Sequence, residues 1–334
     1  MLLHLYVDDA NALADRAVAA GARLVTPVTD QFYGDRSGQV QDPFGYTWSI
    51  SMHKEDMSVE EMYRRLEAMQ GASQPAATHI RAGFRMLTPY LVARDAAGLI
   101  DFVKQVFDAE ETFRAVGSAG GYHCEVRLGD SMLMIGGGGP GLSWSGDPQP
   151  MAFHVYVRDT DAIYQRALDA GSTSLQAPAD QFWNERTASV KDPHGNHWYI
   201  ATFRGENYFS PGAPTVQPYL HPLRAEPVIR FLQRAFGARE TGRYTAPDGV
   251  IHHTTLKIGD SALEMTEAQG PYQPMPSMFY LYVPDVDATY RRALQAGAVS
   301  ANQPADQPYG DRTAAVKDIF GNQWYLATHK GQTT

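Results

Sequence analysis

Acid–base chemistry needs a histidine or carboxylate held where water is scarce, and this chain places several on segments that otherwise read as apolar strands. In Ser261-Ala262-Leu263-Glu264-Met265 one carboxylate interrupts an apolar run. An unpaired inward carboxylate is costly, so Glu264 calls for a partner or a ligand. His253 on a preceding strand is the candidate, since a His–Glu pair can be tuned to work as acid or base near neutral pH. Strand alternation sorts the other groups. Over 123–128, Cys124, Val126 and Leu128 share the apolar face, leaving His123, Glu125 and Arg127 opposite. Over 152–157, Phe153, Val155 and Val157 are apolar, leaving Ala152, His154 and Tyr156. The same rule groups His253 with Thr255 and Lys257. Rings beside His and Glu are also what fixes a small molecule by stacking and hydrogen bonding. A Ser or Cys nucleophile is not indicated, because the single cysteine, Cys124, falls on the apolar face. One cysteine also forbids an intrachain disulfide and a Cys-based zinc cluster, so a metal would need His, Glu, Asp or Gln.

The elements that carry these groups repeat. Segments beginning at His4, His154 and Tyr280 run through a helical stretch closed by Ala-Gly, an Asp-Gln with an aromatic, an acidic-Arg pair and Asp-x-x-Gly before a Trp strand. The first two keep an offset of 150 residues and the last two an offset of 126. A second unit type occurs twice, Pro89-Tyr90-Leu91 to Gly129-Asp130-Ser131 and Pro218-Tyr219-Leu220 to Gly259-Asp260-Ser261. Each unit reads as strand, amphipathic helix and three strands, as in the helix expected from Asp159 to Ala170 with Gly171 ending it. Fixed-period similarity of this kind decides architecture before any local assignment.

The motifs Pro-Tyr-Leu, Leu-Gly-Asp-Ser, His-x-Tyr-Val, Asp-Gln-Phe-Trp and Asp-Pro-x-Gly-Asn-x-Trp resemble those of the vicinal oxygen chelate superfamily, which holds glyoxalase I, bleomycin-resistance proteins and extradiol dioxygenases. The PhnB-like branch is the nearest in look. The resemblance implies an α+β fold of tandem βαβββ modules paired into eight-stranded cups around the ligand. It implies a half-domain at 1–52 with a trailing helix to about 70, and complete glyoxalase-like domains at 84–205 and 215–330. It also implies metal-ligand positions at Thr88, Met134, Ala152 and Tyr199 in the middle domain and at Gln217, Glu264, Met278 and Tyr325 in the last. Only Gln217 and Glu264 are good ligands, which makes a half-site.

Two functions follow. One is a small-molecule-binding protein of the bleomycin-resistance type, metal-independent in the middle domain, with His123, Glu125, His154, Tyr156, Tyr199, Gln217, Tyr280 and Tyr325 against the ligand. The alternative is a metal-assisted lyase, isomerase or dioxygenase acting from the C-terminal domain, with a divalent metal on Gln217 and Glu264 and with His253 and Glu264 catalytic.

Simpler roles are expected elsewhere. Tyr280 replaces His4 and His154 in the repeat, so that position suits any flat polar ring packed beside its neighbouring Tyr. Asp35-Arg36, Glu185-Arg186 and Asp311-Arg312 read as structural salt bridges, and Trp48, Trp198 and Trp324 as core. The Gly136–Gly141 run lacks the Lys and Ser/Thr of a phosphate loop and reads as a flexible lid. With 334 residues, 43% hydrophobic, and a net charge of −9, the chain has neither the basic clusters of a nucleic-acid or anionic-membrane surface nor a membrane-span-length apolar stretch. An acidic N-terminus where a signal peptide would stay apolar gives a cytoplasmic expectation. The leading unit has no partner before it. It is expected to pair with its copy in a homodimer, to dock through a helix at Ser58–Met69, or to belong to a longer chain.

Overall fold

The computed structural model describes residues 2–31, 34–56, 79–117, 119–205, 207–210 and 212–330. The expected helix at Ser58–Met69 lies outside the described residues. Two compact units divide the chain at 77/78.

In the first unit β1 (Leu2–Tyr6), α1 (Ala10–Ala19), β2 (Arg23–Asp30), β3 (Asp35–Gln41) and β4 (Thr47–His53) make one βαβββ module. Its four-stranded sheet runs β1-β4-β3-β2. Ala10, Ala14, Val40 and Ile50 form the small core under α1.

Four more modules fill the second unit. They are β5 (Leu87–Ala93), α2 (Ala96–Phe107), β6 (Glu110–Val116), β7 (Tyr122–Leu128) and β8 (Ser131–Gly137); then β9 (Ala152–Tyr156), α3 (Thr160–Asp169), β10 (Thr173–Asp180), β11 (Glu185–Lys191) and β12 (His197–Phe203). After them come β13 (Val216–Leu220), α4 (Ala225–Phe236), β14 (Arg239–Thr245), β15 (Ile251–Ile258) and β16 (Ser261–Met265); then β17 (Met278–Tyr282), α5 (Val286–Gln295), β18 (Val299–Asp306), β19 (Asp311–Lys317) and β20 (Gln323–His329). Asp9, Asp95, Asp159 and Asp285 start four of the helices, each accepting an amide of the first turn at 2.9–3.0 Å, a cap worth about 1 kcal/mol. No helix among the described residues is long and apolar enough to cross a membrane.

The modules do pair into two eight-stranded sheets, but not in the sequential order expected. β9 pairs antiparallel with β13, joining the second module to the third, and β17 pairs antiparallel with β5, joining the fourth to the first. The first cup is therefore 152–203 with 216–265, and the second is 87–137 with 278–329. The contiguous pairs 84–205 and 215–330 meet through their helices instead. Phe107 of α2 lies 4.7 Å from Trp198, and Phe236 of α4 lies 4.7 Å from Trp324. Arg166 of α3 reaches Asp108 at 2.7 Å.

Reciprocal clamps tie the first module to the third. Asp130 and Ser131 accept the amides of Thr215 and Val216 at 2.7 and 3.0 Å, while Asp260 and Ser261 accept those of Met86 and Leu87 at 2.8 and 2.9 Å. The repeated Gly-Asp-Ser motif thus satisfies strand-start donors of the opposite module, which buried backbone requires. The run at Gly136 is strand and close packing rather than a flexible lid. A Cβ at Gly137 would stand 1.9 Å from the Ala93 carbonyl, at φ +128°, so only glycine fits.

Alternation holds where it was read. Cys124, Val126, Leu128, Phe153 and Val155 are core, as are Trp198 and Trp324. Burial pushes the Cys124 thiol up to about 11, which keeps it inert.

Candidate functional site

The first cup encloses an open cavity of about 970 Å³. Crossing the contiguous boundary brings together residues that the sequence had placed in different domains. His154, Tyr156 and Tyr199 from one module face Gln217, His253 and Glu264 from the other around this cavity. His123, Glu125, Tyr280 and Tyr325 belong to the second cup.

At the centre of the first cup His154 Nδ1 lies 3.1 Å from Glu264 Oε2, and His253 Nε2 lies 3.6 Å from the same oxygen. Register sets this up: Gln217 pairs with His154 across the seam, and Tyr219 pairs with Glu264 one strand over. Burial alone would raise the Glu264 carboxyl, but the charge and hydrogen bond of His154, with His253 behind them, hold it at about 2. Burial likewise opposes the imidazolium of His154, and Glu264 outweighs it and raises the value above the usual 6.5. An ionised carboxylate only accepts, so Nδ1 carries the proton. The nearest partner of Glu264 is thus His154 rather than the expected His253. The His154 ring also packs 4.6 Å from Tyr156, so the position serves packing and pairing together.

Several residues of this cup were missed or misread. The acidic-Arg neighbours do not pair with each other, because adjacent strand residues point to opposite faces. Arg186 bonds Asp180 at 2.8 Å and Asp161 at 2.7 Å on the outside, whereas Glu185 turns into the cup. There Tyr156 donates to Glu185 Oε1 at 2.8 Å and Trp183 Nε1 donates to Oε2 at 2.9 Å. The other modules repeat the arrangement. Asp35 accepts from Tyr6 at 2.6 Å and meets His53 Nδ1 at 3.0 Å; Asp311 accepts from Tyr280 at 2.8 Å and meets His329 Nδ1 at 2.7 Å.

Tyr219 and His221 follow Gln217 at every second position of β13 and just beyond it, so alternation could have found them. Tyr199 and His221 Nε2 share a hydrogen bond of 2.6 Å, and His221 stacks on Tyr272 at 5.4 Å and on Tyr219 at 5.1 Å. Burial drives His221 down to about 4, so it stays neutral in this ring cluster. Burial also raises Tyr156, Tyr199 and Tyr219, which all remain hydroxyls.

In the second cup Tyr90 bonds His123 Nδ1 at 2.9 Å, and Arg81 forms an ion pair with Glu125. Tyr90 and Tyr325 have ring centroids 6.3 Å apart.

Regrouping the implied metal positions by cup gives Ala152, Tyr199, Gln217 and Glu264 in the first and Thr88, Met134, Met278 and Tyr325 in the second. Ala152 offers no donor, the Tyr199 hydroxyl is engaged by His221, and Glu264 is engaged by His154. The second set has only hydroxyls and thioethers. Neither set fits a divalent metal centre, and no described group of three His, Cys, Asp or Glu has a metal-binding arrangement.

Residues 1–50, 76–200 and 224–326 match the model of the Glyoxalase/Bleomycin resistance protein/Dioxygenase superfamily. The chain belongs to that superfamily. An uncharacterised Mycobacterium tuberculosis protein is 39% identical over 122 residues, covering 34% of this chain and 72% of its own. The anthracycline biosynthesis protein DauV of a Streptomyces species is 29% identical over 191 residues, covering 55% of this chain and 67% of DauV. Among solved structures, glyoxalase I from Zea mays superposes with a TM-score of 0.57 at 16% identity, covering 73% of this chain and 92% of that one. That likeness is one of fold. The superfamily scaffold hosts unrelated chemistries, so function rests on the cup itself.

Proposed function

We propose that the first cup binds a flat, oxygen-bearing aromatic small molecule, in the manner of bleomycin-resistance and PhnB-like members of the superfamily, without a resident metal. The observation that carries the reading is the open cavity of about 970 Å³ walled by aromatic rings around a buried His154–Glu264 pair. Its size sits at the upper end of ordinary ligand pockets, ~300–1,000 Å³. Tyr199, Tyr219 and Tyr272 supply ring faces, and Phe182 and Trp183, respectively 89% and 49% exposed, stand at the rim with apolar surface to cover. Gln217, His253 and the Tyr156 hydroxyl are placed to bond ring oxygens. DauV, by its description, takes part in anthracycline biosynthesis, and anthracyclines are planar polycyclic molecules of this class. A fluorescent anthracycline is therefore the probe. Saturable quenching is expected, weakened about tenfold in Trp183→Ala, since a stacked ring contributes ~1 kcal/mol or more. Absence of saturable binding, or an unchanged affinity in Trp183→Ala and Gln217→Ala, overturns the reading.

Acid–base catalysis by a lyase or isomerase is the second reading. It rests on His253, whose side chain is 45% exposed in the cavity and 3.6 Å from ionised Glu264. Turnover of a bound carbonyl compound that disappears in His253→Ala while binding persists would favour catalysis over binding alone.

A further inference from the structure

The two cups share a strap, the segment that leads into the first strand of the later-paired module, yet only one strap carries an arginine. In the first cup Ser210, Gly212 and Ala213 border the cavity. In the second the corresponding residues are Arg81, Gly83 and Phe84, and the register is supported by Gly83 and Gly212, both with positive φ (+85° and +73°). The opposing strand changes in step, with Glu125 on β7 where β15 has Thr255.

The second strap is pinned at both ends. His329 N donates to the His79 carbonyl at 2.9 Å, and Tyr282 N donates to that of Met86 at 2.8 Å. Between these points the Arg81 guanidinium pairs with Glu125 and lies 4.1 Å above the Phe84 ring, which in turn sits 6.1 Å from Tyr282. Glu125 is only 5% exposed, and its Oε1 has no hydrogen-bond partner among the described residues. Its nearest cationic neighbour is His123 Nε2 at 3.6 Å.

A buried carboxylate with a spare oxygen, aromatic flanks and a guanidinium delivered by a pinned segment describes a ligand site already filled. We propose that the second cup is a guanidinium-binding site which the chain occupies with its own Arg81, and that a small alkylguanidinium takes the same place once Arg81 is removed. The planar fork of a guanidinium matches a carboxylate with two parallel donors, which an ammonium cannot do. Tethering keeps Arg81 at a high effective concentration, so the wild-type protein turns away free ligand of equal intrinsic affinity.

Ethylguanidinium is the probe, against equimolar ethylammonium and NaCl, with thermal unfolding and calorimetric titration of the full chain as readouts. Arg81→Ala is expected to lose roughly 3–6 °C in Tm. Ethylguanidinium at about 10 mM should restore much of this saturably, with a Kd on the order of millimolar, while ethylammonium and NaCl do not. Wild type and Arg81→Ala/Glu125→Gln should show no such rise. No saturable rise in Arg81→Ala, or an equal rise in the double variant, overturns the proposal. If Arg81→Ala does not fold in buffer, it is refolded with ethylguanidinium or with equimolar NaCl. Recovery only with the guanidinium supports the site, and failure in both overturns it.

Discussion

Glu264→Gln removes one charge from the centre of the first cup at nearly constant volume, and its cost can be worked from the geometry. Burial pushes the carboxyl up, yet His154 and His253 bring it from an ordinary 4.5 to about 2. At ~1.4 kcal/mol for each factor of ten in proton affinity, that drop corresponds to about 3 kcal/mol of folding free energy. The elevation of His154 by the same carboxylate is the other side of one interaction and is counted once. The depressed carboxylate contributes fully above its ordinary 4.5 and loses its share as pH falls toward 2. His154, raised above 6.5, contributes fully below that value and loses its share as pH climbs through its folded value. The pair is therefore at full strength between pH 4.5 and 6.5.

In the variant, burial alone governs His154, which becomes a neutral imidazole donating to the Gln carbonyl. One neutral hydrogen bond of ~1 kcal/mol replaces the ion pair, for a net loss of about 2 kcal/mol. Urea unfolding of both proteins followed by near-ultraviolet circular dichroism, at pH 3, 5.5 and well above neutral, checks this. The loss should be largest at pH 5.5 and shrink on both sides. A loss of the same size at every pH would refute the ionised pair.

Three other predictions follow from separate parts of the structure. Asp192→Ala strips the acceptor from buried Trp198 Nε1 (2.9 Å) and Asn196 Nδ2 (2.8 Å), and should cost about 3 kcal/mol in urea unfolding while leaving probe affinity intact. Glu185→Ala should cost about 2 kcal/mol, because Tyr156 and Trp183 both lose their acceptor, whereas Arg186→Ala, with its bridges at the surface, should cost under about 1 kcal/mol. The reverse order of these two would restore the adjacent pair as a structural salt bridge. Dialysis against a chelator should leave the Tm unchanged, since the donors of neither cup fit a metal centre; a fall of several degrees reversed by one added divalent ion would contradict that.

The module was legible in the sequence because its signals are local: alternation on each strand, an Asp cap before the helix, a glycine after it and the Asp-x-x-Gly turn. Module pairing was not. Every module presents the same kind of seam strand, so sequential and crossed pairing offer equal strand counts and similar apolar faces. The deciding contacts are side-chain clamps from Asp130 and Asp260 to amides 85 and 174 residues away along the chain. The site inherits that difficulty. Strand alternation put His154 and Glu264 on concave faces correctly, but only the crossed pairing places one against the other. Glu185 shows a different limit. A recurring acid beside a recurring arginine suggested an ion pair, although period-two geometry forbids neighbours on a strand from facing each other.

Recurrence also separates what folds a module from what a cup recognises. The acid of the third strand, whether Asp35, Glu185 or Asp311, finds a tyrosine hydroxyl in all three of its modules, including the one in the single four-stranded unit. That bond is thus a fitting of the module and needs no ligand to explain it. Glu264, His221 and Trp183 have no such recurrence. The residue matching Glu264 in the first module is Met134, and Glu125 has only Thr255 opposite it in the repeat. Each cup therefore buries a carboxylate of its own that module folding does not require, and buried charge persists only where something offsets its desolvation. In the first cup His154 does so from the wall, leaving the cavity open. In the second the strap does so with Arg81, and the same scaffold is filled from within.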